Sequence, residues 1–77
     1  MNQPTPDPEI LLSLIHSRMP FGKYKDRLLA DLPVSYLEWF ASKGFPEGKL
    51  GMQLETAYVI KINGLQSILD KLRQIKP

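Results

Sequence analysis

Apolar residues recur at helical spacing in four segments of the chain, and each of these segments predicts a helix. Spacings of three and four residues place side chains on one face of a helix, which then packs against a neighbour. The predicted helices cover residues 7 to about 18, 33 to 43, 49 to about 62, and 65 to the C-terminal lysine and proline. Pro20, Gly44 and the pair Asn63-Gly64 separate them.

The residues at the helix starts support these boundaries. The Asp7 side chain can accept a hydrogen bond from a free N–H group in the first turn of the first helix. Pro8 follows at a position where the helix needs no N–H donor. The second helix has two candidate starts, at Pro33 or at the capping box that Ser35 forms with Glu38. Both alternatives place the following aromatic residues in the helix.

Residues 19–32 break the helical pattern. Aromatic and basic side chains alternate there around a polar centre at Lys25-Asp26, which predicts a small β-hairpin. Phe21 faces the buried side of this hairpin, and Asp26 tolerates the left-handed conformation of a short turn. Two strands alone are only marginally stable, so the hairpin has to lie against the helices. We therefore predict a mostly helical α+β fold, with an N-terminal helix, a small β-hairpin and three helices packed on it.

The length of the chain sets its organisation. Its 77 residues suffice for one compact domain, which we assign to residues 7–77. Residues 1–6 are polar and rich in proline, which predicts a flexible arm. Without cysteine no disulfide is available, so the core has to be apolar. We expect its anchors to be the following residues: Phe21, Tyr36, Trp39, Phe40, Leu54 and Leu69.

Candidate catalytic residues are few. His16 is the single histidine, and no carboxylate follows it at the three- or four-residue spacing that would orient it on a helix. The chain has no phosphate-binding glycine loop and no nucleophile motif. We therefore expect a non-enzymatic domain with no cofactor and no metal site.

The segment around Tyr24 is the strongest candidate for a binding site. Arg18, Lys23, Lys25 and Arg27 surround this ring, with a single acidic residue among them. Clustered cations attract phosphates, and an exposed aromatic ring stacks on an unpaired base, so the segment predicts weak binding of single-stranded or duplex nucleic acid. In the alternative interpretation, the lysines only protect a hairpin edge from pairing and Tyr24 packs on a helix.

A second function remains open. Amphipathic helices also dock on partners, so the chain is alternatively a protein interaction or self-association module that forms a homodimer or binds another protein. No apolar run approaches the length of a membrane span, and we expect no membrane partner. The N-terminal segment lacks the basic and apolar regions of a secretory signal, and the absence of cysteine fits a reducing compartment, so we expect a cytoplasmic protein.

Several motifs resemble those of a known bacterial family. They include Met19-Pro20-Phe21-Gly22-Lys23-Tyr24-Lys25, Leu29-Ala30-Asp31-Leu32-Pro33 and Ile60-Lys61-Ile62-Asn63-Gly64-Leu65. Together they resemble the small proteins catalogued as putative quorum-sensing-regulated virulence factors, whose biochemical function is unknown, over roughly residues 10 to 72. The first motif is also similar to the C-terminal module of exonuclease X-like proteins, and this resemblance implies a link to nucleic-acid metabolism.

One position departs from the related pattern. Where the family usually has glycine after the second lysine, this chain has Asp26. The substitution makes the predicted turn harder to form and lowers the positive charge of the segment by one.

Overall fold

The computed structural model describes residues 7–74 and consists of four helices, joined by one long connection after the first helix and by short loops after the second and third. These are α1, Pro8–Leu14; α2, Val34–Lys43; α3, Lys49–Ile62; and α4, Gln66–Gln74, with a single 3-10 turn at Leu29–Asp31 before α2. Helix α3 lies centrally, since α1, α2 and the 3-10 turn all pack against it, and α4 packs against α1. The predicted arm at residues 1–6 lies outside the described residues.

The predicted β-hairpin is wrong, and with it the α+β class. Residues 7–74 contain no strand, and the fold over them is all-α, with one isolated antiparallel bridge between Arg18 and Leu28. Between these residues the chain turns instead of extending. Pro20 has no N–H to contribute to a ladder, and both Gly22 (φ 82°) and Asp26 (φ 72°) adopt left-handed conformations. The expectation that Asp26 takes this conformation is confirmed, but it does so in a compact loop.

Most helix ends lie close to the positions predicted from the sequence. The Asp7 carboxylate accepts a hydrogen bond of 2.8 Å from the Glu9 N–H, as expected of an N-terminal cap. Helix α1 nevertheless ends at Leu14, four residues before the predicted end. Helix α2 starts at Val34 after Pro33, and no side chain caps it, so the Ser35 alternative is not used.

Two glycines follow the ends of helices, and a third lies in the first turn of α3. Gly44 (φ 108°) ends α2 and Gly64 (φ 68°) follows α3. Gly51 has a different role, because a Cβ at this position would lie 1.6 Å from the carbonyl oxygen of Pro46. The first turn of α3 therefore rests directly on the backbone of the loop that precedes it.

The core lies between the helices and is apolar except for Gln53, which is buried and donates a hydrogen bond of 2.9 Å to the Ser13 hydroxyl. Phe40, Leu54 and Leu69 are buried there, and Tyr36 is half-buried against it. Phe21 and Trp39, by contrast, leave 47% and 53% of their surfaces exposed, so the prediction that they anchor the core is wrong. In α2 the buried positions are Leu37 and Phe40, and a helix that advances 100° per residue turns Trp39 away from Leu37.

None of the helices within residues 7–74 has the length and apolar character needed to cross a bilayer.

Candidate nucleic-acid interface

The candidate site is built on the loop of residues 18–27, here called the basic loop. Met19, near its start, and Leu29, two residues after its end, are fully buried. The Met19 N–H donates to the Arg27 carbonyl (2.8 Å), and the Asp26 N–H donates to the Met19 carbonyl (2.7 Å). The loop is therefore fixed at its base by buried side chains and paired backbone, while its middle projects into solvent.

Arg18 closes the loop on one side. Its guanidinium Nη1 donates a hydrogen bond of 2.8 Å to the backbone carbonyl of Asp26. A carbonyl carries no net charge, so this contact holds the guanidinium in place without neutralising it.

Tyr24 holds two further cations of the loop. The Lys23 Nζ and the Arg27 Cζ each lie 5.5 Å from the centroid of its ring. Cation–π contacts of this kind contribute about 0.5–1 kcal/mol at exposed sites. Tyr24 thus positions an ammonium and a guanidinium on the same aromatic ring.

Tyr24 also attaches the loop to helix α2. Its ring meets the Tyr36 ring edge-on, with the centroids 4.7 Å apart. Tyr36 meets Phe40 in the same way at 5.2 Å, and Phe40 is buried. The half-buried Tyr24 is therefore the outer member of a row of rings that ends in the core, and edge-to-face pairs of this type add about 0.5–1.5 kcal/mol each.

The surroundings of Tyr36 change the pKa of its phenol. Burial raises the pKa of its phenol, and the neighbouring Tyr24 adds to the same shift. Gly22 passes close by, because a Cβ there would lie 3.1 Å from the Tyr36 hydroxyl. The neutral phenol therefore fits a closely packed contact between loop and helix.

A groove of about 540 Å³ opens between the basic loop and α2, and we call it the aromatic groove. Phe21 and Trp39, the two exposed rings, contribute to its walls. The complete lining is Phe21, Gly22, Lys23, Tyr24, Ser35, Tyr36, Trp39 and Phe40. This described lining contains a lysine and no carboxylate, so the groove combines flat apolar surfaces with positive charge.

The Trp39 indole has a defined orientation despite its exposure. It packs edge-on against the Phe40 ring, with the centroids 5.1 Å apart and the planes at 80°. Because Phe40 is buried, Trp39 is held by the core while about half of its surface faces solvent. A ring supported in this way loses little conformational freedom when a second flat group packs on it.

The predicted site residues thus come together in part. Arg18, Lys23, Lys25 and Arg27 are all exposed in one loop, and the contacts with Tyr24 collect Lys23 and Arg27. Lys25 shares the loop, and within residues 7–74 its side chain forms neither a hydrogen bond nor an ion pair. Phe21, Trp39 and Ser35 also belong to the site, although the sequence did not predict them there.

Carboxylates do not neutralise these cations in the part of the chain that is described. The ion pair found there joins Arg73 of α4 to Asp31 of the 3-10 turn, at 2.6 Å. Asp26 is the acidic residue within the loop itself, and its carboxylate forms no ion pair over the same residues. The same region brings no three histidine or acidic side chains together as a metal site.

A second groove lies elsewhere, between α1, α3 and α4, and we call it the apolar groove. Its volume is about 620 Å³, and its exposed apolar residues are Met52, Val59, Leu65 and Ile68. Asp7 and Glu55 line it as well. No cation occurs in its described lining, so the two grooves differ in character.

Comparison with known proteins gives a family and two relatives. The family model described as "Putative quorum-sensing-regulated virulence factor" matches residues 7–72. The "Uncharacterized protein YpeB" of Escherichia coli strain K12 is 46% identical over 67 residues, which cover 86% of this chain and 93% of the relative. The protein of the same description from Escherichia coli O157:H7 matches with the same identity and coverage. No solved structure matches the chain.

Proposed function

This chain belongs to the family described as "Putative quorum-sensing-regulated virulence factor", and we propose that it is a non-enzymatic domain that binds nucleic acid through its basic loop. The description names no biochemical activity, so the proposal rests on the surface of the molecule. A nucleic-acid ligand also agrees with the cytoplasmic location expected from the sequence.

One observation carries the proposal: Lys23 and Arg27 both contact the Tyr24 ring, each 5.5 Å from its centroid. Within residues 7–74 neither cation is paired with a carboxylate. Phosphate groups along a strand present a row of negative charges, and a pair of fixed cations attracts them without first having to be brought together. Arg18 and Lys25 add positive charge to the same loop.

The number of cations sets the strength of binding. Three or four phosphate contacts support micromolar or weaker affinity at physiological salt. For a single strand, three contacts give a slope of about −2 in log K against log salt. Affinity then falls about 20-fold between 50 and 200 mM salt.

Titration of fluorescently labelled oligonucleotides tests the proposal. The full chain is titrated at 50 and 200 mM salt, and the variant Lys23→Ala/Arg27→Ala is compared with Lys49→Ala/Lys71→Ala. Both variants lose two exposed positive charges, but Lys49 and Lys71 lie on α3 and α4, outside the basic loop. Anisotropy of the labelled strand reports binding.

The two variants are expected to differ. The loop variant should bind more weakly, and its slope of log K against log salt should become shallower by about 1.4. The α3/α4 variant should keep the slope of the parent chain. Equal losses in both variants would indicate attraction by overall charge alone. No binding of any oligonucleotide at 50 mM salt would reject the proposal.

A second candidate function, self-association, is favoured by the apolar groove. Met52 and Val59 of α3 are 53% and 43% exposed there, and such rows of apolar residues are typical of helix-docking surfaces. Light scattering checks this candidate. A mass of twice 8.8 kDa that returns to the monomer value in Val59→Asp would support it, and a monomer at all concentrations would reject it.

A further inference from the structure

The exposed rings of the aromatic groove point to a more specific ligand than the cations do. We infer that Phe21 and Trp39 form a stacking site for unpaired bases, so that the ligand is single-stranded nucleic acid. This inference rests on the proposed function and assigns a role to two residues outside the cation cluster.

The two rings of the proposed stacking site are exposed. Phe21 and Trp39 leave 47% and 53% of their surfaces open to solvent. Phe40 and Met19, their close neighbours in sequence, are buried. Both rings line the aromatic groove.

Positive charge lies beside the rings. Lys23 lines the same groove, and its Nζ lies over the Tyr24 ring, which Arg27 also contacts. A strand with its phosphates on the basic loop would therefore have its bases within reach of the aromatic groove. Acidic side chains are absent from the described groove lining, so nothing there repels the strand.

The surface and the ligand match each other. Bases present flat faces and phosphates present negative charge at regular spacing, and proteins that bind single strands combine aromatic platforms with cationic tracks. In a duplex the base faces are covered by neighbouring bases and unavailable to protein rings. The arrangement therefore suits a single strand better than a duplex.

Tyr24 has a different part in this arrangement. Its ring is half-buried against Tyr36, and Lys23 and Arg27 lie over it. It positions the cations, while the more exposed Phe21 and Trp39 are available to the bases.

The test uses Trp39 as its own reporter, because it is the single tryptophan of the chain. The full chain is titrated at 50 mM salt with three probes: a ten-nucleotide deoxythymidine strand, a ten-residue abasic strand with the same phosphates, and a ten-base-pair duplex. Stacking of a base on the indole should quench Trp39 emission with the thymidine strand and leave it unchanged with the abasic strand. Affinity for the thymidine strand should exceed that for the abasic strand by about 100-fold, about tenfold for each ring, and should also exceed that for the duplex.

Variants separate the two rings from the cations. Phe21→Ala should lower affinity for the thymidine strand about tenfold and leave affinity for the abasic strand unchanged. Lys23→Ala/Arg27→Ala should weaken both. Phe21 is exposed, so its removal leaves the core intact, and a thermal melt checks the fold. The three-probe comparison on the parent chain needs no variant.

The outcomes distinguish this inference from the proposed function. Equal affinity for the thymidine and abasic strands without a change in Trp39 emission would overturn the stacking site and leave phosphate binding standing. Tighter binding of the duplex would also overturn it. Failure of all three probes to bind would overturn both proposals. A dimer that Trp39→Ala dissociates would show that a second copy of the chain covers the groove, which overturns the stacking site.

Discussion

The Arg18 guanidinium donates a 2.8 Å hydrogen bond to the Asp26 carbonyl, across the base of the basic loop. The contact lies beside the isolated bridge between Arg18 and Leu28. It joins the residue that enters the loop to the left-handed residue near its end. Arg18 therefore stabilises the loop that carries the other cations and contributes a charge of its own.

Replacement of Arg18 by lysine separates these two contributions. Arg18→Lys keeps the positive charge but loses the planar donor group, so we expect the free energy of unfolding to fall by about 1 kcal/mol, the value of a typical hydrogen bond. Urea unfolding followed by Trp39 emission measures it. Unchanged stability together with unchanged oligonucleotide affinity would show that the hydrogen bond does not hold the loop.

Asp26 opposes the cations around it. Asp26→Asn removes its negative charge but keeps a residue that tolerates the left-handed conformation at φ 72°. At 50 mM salt we expect affinity for a single strand to rise about twofold, because a repulsive charge several ångströms from the phosphates is removed. Fluorescence anisotropy measures the change. Glu47→Gln, in the loop before α3, removes the same charge outside the basic loop and serves as the control. An equal rise in both variants would argue against a local effect.

Gly51 is required by the backbone next to it. In most helix interiors Gly→Ala stabilises a protein by about 0.5–1 kcal/mol. At Gly51 the sign should reverse, because the new Cβ would lie 1.6 Å from the Pro46 carbonyl oxygen. We expect Gly51→Ala to lower the free energy of unfolding by about 1–3 kcal/mol, measured by urea unfolding. Glu55→Ala, at an exposed position of the same helix, should change it by no more than about 0.5 kcal/mol. A stabilised Gly51→Ala would contradict the packing described.

Alkaline pH should weaken the contact between loop and helix. The pKa of Tyr36 is raised by burial and by Tyr24, so the folded state holds this proton more tightly than the unfolded state. Its contribution to stability is complete below about pH 10, the ordinary pKa of tyrosine, and is lost as the pH rises through the raised value. Burial lowers the pKa of Lys61, against the opposing effect of Asp31. Lys61 therefore makes stability increase with pH, over a range below its ordinary pKa of about 10.5.

Tyr36→Phe isolates the tyrosine contribution. The variant retains the ring contacts with Tyr24 and Phe40 and leaves Lys61 unchanged. We expect its free energy of unfolding to fall less than that of the parent chain between pH 9 and pH 11, as measured by urea unfolding. Parallel declines in the two proteins would show that Tyr36 does not contribute to the pH dependence.

The helices could be predicted from the sequence because their local patterns agree with their packing. The boundaries predicted for α3 are those observed, Lys49–Ile62, where apolar spacing and the Asn63-Gly64 end coincide. The N-terminal cap predicted at Asp7 is also confirmed, by the hydrogen bond from the Glu9 N–H. The hairpin was wrong because alternating polarity also fits a loop, and the left-handed Gly22 shortens the extended segments that a ladder would need.

The cations of the site could be predicted from the sequence, but its aromatic surface could not. Arg18, Lys23 and Arg27 are close in sequence, so their proximity follows from any compact loop. Trp39 was assigned to the core because large aromatic residues are usually buried. A stricter helical wheel would have indicated otherwise, since Trp39 lies about 200° from the buried Leu37. The exposure of Phe21 depends on the path of the loop, and no sequence pattern indicated it.

Amide chemical-shift mapping on the 15N-labelled full chain, titrated with a ten-nucleotide deoxythymidine strand at 50 mM salt, tests the central claim most directly. We predict that the shifted amides fall in residues 18–27 and in α2 around Trp39, and that they recover as salt is raised to 200 mM. Shifts confined to α1, α3 and α4 around the apolar groove, or no shifts at millimolar strand, would contradict the claim.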